Sequence, residues 1–99
     1  MDQEARLDAI FNKTDGRCRF CGKQLCRSNY GKRGRRGAWV QEHSRSVANG
    51  GTTHLNNLFA ACYECNEDKS GTNAASYKRR RRKQGKHVAK RSWWTGRYQ

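Results

Sequence analysis

Residues 17–26 read RCRFCGKQLC and residues 60–69 read AACYECNEDK. Each holds a Cys-x2-Cys turn, Cys18 with Cys21 and Cys62 with Cys65. Such a turn chelates through two sulfurs, and two turns brought together supply the four soft ligands of a tetrahedral zinc site. With all four positions filled by protein, the site is structural rather than catalytic. The competing reading is a set of reduced cysteines packed in a core, but paired turns in a short basic chain rarely arise for packing alone. Cys26 is left over as a small side chain with poorer spacing. Residues 22–61 separate the pairs, a longer gap than the roughly 15–20 residues of a simple zinc ribbon. Something is therefore inserted between the knuckles.

The rest of the composition explains why a staple is needed. The chain has 99 residues, 33% of them hydrophobic, and a mean hydropathy of -1.24. That suits one small domain whose apolar burial is thin, the situation in which metals or disulfides supplement the core. The formal net charge is +14 and the pI about 10.3. A polyanion is the natural partner, nucleic acid first and an anionic membrane surface second. No apolar run reaches the roughly 18 residues of a spanning helix. The opening MDQEARLDAIFNK carries acids early and has no secretory h-region. Both point to a reducing, cytoplasmic setting, where paired cysteines bind metal rather than each other.

Along the chain, Leu7, Ile10 and Phe11 share one face of a helix expected over residues 2–13, with Asp2 as cap and Asp15-Gly16 as stop. Residues 27–37, RSNYGKRGRRG, read as a mobile basic loop. AWVQEH and LNNLFAAC read as short strands, NEDKSG as a helix or turn, and Asn73 as the cap of a helix AASYKRRRRKQ ending near Gly85. From Lys69 onward there is no acid and there are eleven lysines and arginines. The expected division is a domain over residues 1–77 and a basic extension over 78–99, carrying Trp93, Trp94 and Tyr98.

The insertion holds Glu42, the lone acid between Asp15 and Glu64, directly before His43. Taken singly, His43, Glu42, Asn57 and Asn66 are weak signals: a surface histidine, a solvated charge, a turn residue and a helix cap. In order they read GRCRFCG, a strand ending Glu-His, GGTT, NNL and AACYECNEDKSGT. That series, over about residues 10–77, resembles the zinc-stapled HNH endonucleases. The resemblance implies a small α+β fold, a ββα-metal motif stapled by a four-cysteine zinc site, with flanking helices. It also implies metal-dependent phosphodiester hydrolysis. A neutral imidazole is a good base near pH 7, which makes His43 the general base. A hard divalent ion prefers oxygen ligands, which Glu42 and Asn66 provide, and the resemblance gives them one catalytic Mg2+ or Mn2+. Asn57 matches the family residue that orients the loop carrying the base. Adjacent strand residues face opposite ways, so Glu42 and His43 can serve one site only if the strand ends or bends there. Three positions depart from the family pattern. Glu42 stands for aspartate, Asn66 for histidine, and Ser46 for a proline, which implies a looser loop.

Double-stranded DNA is the expected substrate. Arg33, Arg35 and Arg36 in the loop, Lys69, and Arg79, Arg80, Arg81 and Arg82 are the expected phosphate contacts. With one active site and no sequence-reading module, the expected activity is nicking by a monomer with little sequence preference. The alternative is a non-catalytic zinc-ribbon protein that binds nucleic acid. It accounts for the cysteines and the charge, but not for the ordered Glu42-His43, Asn57 and Asn66.

Overall fold

The computed structural model describes residues 2–90; the aromatic residues Trp93, Trp94 and Tyr98 lie outside them. Helix α1 spans Gln3–Lys13. The Asp2 carboxylate accepts the Ala5 amide at 2.7 Å, satisfying one of the free donors of the first turn. Leu7 and Ile10 are buried, and Phe11 packs on Trp39 with ring centroids 5.3 Å apart. Asp15 and Gly16 both take positive φ and end the helix.

The first knuckle follows. The Gly22 amide closes back on the Cys18 carbonyl, and the Cys18 amide bonds the Lys23 carbonyl. Strand β1, Trp39–His43, pairs antiparallel with β2, Leu58–Cys62, in a register from Trp39 opposite Cys62 to His43 opposite Leu58. β2 runs straight into helix α2, Tyr63–Lys69, for which Cys62 is the N-cap residue. Helix α3 spans Ala74–Lys83. The order β1, β2, α2 is the ββα unit, a small α+β architecture with α1 and α3 flanking it.

The core is small and aromatic: Trp39, Phe20, Tyr77, Ile10, Leu7 and Leu58 are buried. Phe20, inside the first knuckle, meets Tyr77 of α3 edge-on at 4.8 Å, a favoured aromatic geometry. The Ala89 amide then bonds the Phe20 carbonyl at 2.6 Å. Residues 74–83 straddle the boundary expected at residue 78 and form a single helix with Ala74, Tyr77 and Arg81 buried. No helix of the described residues is long and apolar enough to cross a membrane.

Asn73 departs from expectation. It holds the N-cap position of α3 without capping it; instead its Oδ1 accepts the Ser46 amide at 2.9 Å and the Asn49 side-chain amide at 3.2 Å. The looser loop expected at Ser46 is corrected by the same contact. Ser46 is buried, and its N–H, which a proline would lack, anchors the loop to α3. Tyr77→Ala should lower unfolding stability by about 3 kcal/mol in a urea titration, as for other large core deletions.

Candidate active site and zinc centre

The four knuckle cysteines meet. The sulfurs of Cys18, Cys21, Cys62 and Cys65 all lie within 4.8 Å of one another, and Cys21 and Cys62 are 3.9 Å apart. Sulfurs held at about 2.3 Å around one tetrahedral ion would be about 3.8 Å apart, so the cluster fits zinc in ligand type and in spacing. No disulfide forms among the described cysteines. The thiols share protons unevenly. Hydrogen bonding first to Cys18, then to Cys62 and Cys65, pulls Cys21 far below the usual thiol range. Hydrogen bonding to Cys18 and Cys21 pushes Cys62 above it. Zinc binding would replace these shared protons. The Arg81 guanidinium lies 3.8 Å from the Cys65 sulfur, placing a buried cation beside a cluster that would carry negative charge with the ion bound. Cys26 stands apart and exposed, against the Ser28 hydroxyl at 3.3 Å.

β1 ends at His43, as the Glu42-His43 pair requires, and Glu42 is the more deeply buried of the two. Glu42 is fully buried. One carboxylate oxygen meets Arg19 at 2.9 Å and the other meets Lys69 at 3.2 Å. Arg19 lies in the first knuckle, with its guanidinium carbon 3.8 Å from the centre of the Phe59 ring. Both Glu42 oxygens are thus held by cations in the folded chain. An unpaired buried carboxylate would be costly, and two cations converge on it. Lys69 is corrected as a DNA contact, since it is buried on this carboxylate. Arg19 was missed by sequence reasoning. Its only signal was a charged residue inside a metal knuckle, between Cys18 and the buried Phe20. Asn66 sits three residues before Lys69 on α2, which puts the two on one helix face.

His43 is half-buried, and its Nε2 is buried without a hydrogen-bond partner. The loop after it is held by Asn57. The Asn57 Oδ1 accepts the Arg45 amide at 2.8 Å, while its Nδ2 donates to the carbonyls of Arg45 at 3.1 Å and Thr52 at 2.8 Å. The Ser44 amide bonds the Asn57 carbonyl at 2.8 Å. Gly51 is required here, because a Cβ would stand 1.8 Å from the Arg45 carbonyl oxygen. His54 is exposed.

The HNH endonuclease family model matches residues 18–72, more than half of the chain. The chain belongs to the HNH endonuclease family. It has no match among curated proteins or among solved structures. The HNH match begins at the first knuckle cysteine and ends just past α2, so it contains both cysteine pairs, Glu42, His43, Asn57 and Asn66.

The expected phosphate contacts divide. Arg35, Arg36, Arg79 and Arg82 are exposed. Arg33 forms a two-pronged ion pair with Glu67, and Arg80 bonds the Asp68 carbonyl. Arg81 is corrected: it is buried, bonded to the His87 carbonyl and the Tyr77 hydroxyl, and cannot reach DNA.

The folded protein should carry one zinc ion per chain by elemental analysis. Cys26 alone should react quickly with a thiol reagent, the other four cysteines only after chelation. Glu42→Ala should cost about 3–5 kcal/mol in chemical denaturation, because it leaves two buried cations unpaired.

Proposed function

We propose that this HNH protein is a metal-dependent endonuclease that nicks double-stranded DNA, acting as a monomer in a reducing intracellular compartment. The single observation that carries the reading is His43: a histidine at a strand end with its Nε2 buried and without a hydrogen-bond partner. An unsatisfied buried nitrogen is costly, and it suits an atom that takes a proton from water once substrate and water enter the site. In this reading His43 is the general base. Asn57, bonded across the loop from Arg45 to Thr52, orients it. Glu42 and Asn66 are the oxygen donors that would hold Mg2+ or Mn2+, and the ion would neutralise charge growing on the scissile phosphate. Their donor types fit a hard ion, but Lys69 holds one Glu42 oxygen. Lys69 must give way for that oxygen to become available, and its flexible stem makes it the easier of the two cations to move.

One observation favours the second reading, a non-catalytic zinc protein that binds nucleic acid: both Glu42 oxygens already face cations. Supercoiled plasmid decides between the two. Purified protein with Mg2+ or Mn2+ should convert it to the open circle. His43→Ala should slow that conversion by about 100-fold or more, with zinc content and circular dichroism unchanged. If the wild type shifts plasmid on a gel yet never nicks it with either ion, the binding protein is the correct reading.

A further inference from the structure

We propose that the groove between α3 and residues 88–90 holds the DNA backbone beside the cleavage point. The proposal rests on the nuclease reading and adds to it a binding surface built by chain beyond the HNH-matched residues 18–72. The groove has a volume of about 740 Å³, within the range of natural ligand sites. Lys78, Arg79, Arg82 and Lys90 line it, and it reaches Ser44, the neighbour of His43, and Arg19, the partner of Glu42. No acid is among its lining residues. The charge complement of such a surface is a polyanion, and the phosphates of a duplex are the occupant that the adjoining nuclease site would use.

Helical geometry sorts the basic run into this surface. Ala75, Lys78, Arg79 and Arg82 stand at i, i+3, i+4 and i+7, one stripe along α3. Ala74, Tyr77 and Arg81 form the buried face, and Arg80 turns to Asp68. Ala75 keeps the upper part of the stripe low, so a backbone can come close. Two hydrogen bonds hold the stripe in fixed register with the base. The Ala74 amide donates to the Ser44 carbonyl at 2.8 Å, and the Ser46 amide donates to Asn73 Oδ1 at 2.9 Å. A phosphate seated on α3 is thereby indexed to the loop that follows His43.

The test is binding of a short duplex by fluorescence anisotropy across a salt series in EDTA, where hydrolysis plays no part. The variant carries Arg79→Ala, Arg82→Ala and Lys90→Ala together. Its plot of log affinity against log salt should be shallower than wild type by roughly 2–3, at about 0.9 for each phosphate no longer neutralised. A control with the same charge loss in the loop, Lys32→Ala, Arg35→Ala and Arg36→Ala, should change the slope by less than about 1. Circular dichroism and zinc content check that both variants fold. An unchanged slope in the groove variant, or equal changes in both variants, overturns the proposal. So does wild-type affinity for duplex RNA about tenfold above that for DNA. Plasmid nicking, assayed in parallel, separates the two ideas. Nicking with an unchanged groove slope removes the groove alone. A shallower slope without any nicking removes the nuclease and leaves the groove as a DNA-binding surface.

Discussion

Four sulfurs within 4.8 Å of one another hold this protein together. Cys18 and Cys21 come from a turn after α1, and Cys62 and Cys65 from the junction of β2 with α2. Their convergence closes the chain across the inserted hairpin strand and loop. A 99-residue chain with 33% hydrophobic residues has little else of comparable strength. The same junction places α2 directly after β2, with Cys62 as N-cap and its sulfur accepting the Cys65 amide. One residue is thus strand end, helix cap and metal-type ligand at once, which is how so short a chain builds a ββα unit.

Buried charge is the second organising element. Arg19, Glu42 and Lys69 come from the knuckle, β1 and α2, and meet at the buried Glu42 carboxylate. The triad joins the three parts that frame the candidate site, and it carries one more positive charge than negative. Arg81 repeats the arrangement on a smaller scale, tying α3 to the zinc-type cluster and to the chain after the helix. In a strongly basic protein, cations are numerous enough to serve as interior struts as well as surface charge.

Much of this was legible in the residues. The paired cysteine turns, the helix from residue 3, the two strands and the Glu42-His43 break follow from spacing and periodicity, which are local properties. The basic run over residues 78–83 was less legible. Its helix was expected, but its like charges read as an extension rather than a packed face, and the hydrophobic residues that seat it are few: Ala74 and Tyr77. Tyr77 finds its partner, Phe20, fifty-seven positions away, and no pattern within α3 announces that contact. Ser46 misled in the opposite sense. The missing proline suggested slack, whereas its amide hydrogen bonds Asn73 across twenty-seven positions.

By itself, then, the sequence determined which residues were available for chemistry: four sulfurs in chelating pairs, one acid beside a histidine, two asparagines and a large excess of positive charge. Those are matters of residue type and spacing along the chain. Only the tertiary structure decided where each charge ended up. It put Lys69 and Arg81 inside, paired Arg33 and Arg80 with acidic partners on α2, and left Arg79 and Arg82 along a groove that reaches Ser44. The physical reason is that a cation's role depends on which neighbours share its desolvated space, and in a chain this short those neighbours come from distant segments brought together by the cysteine cluster.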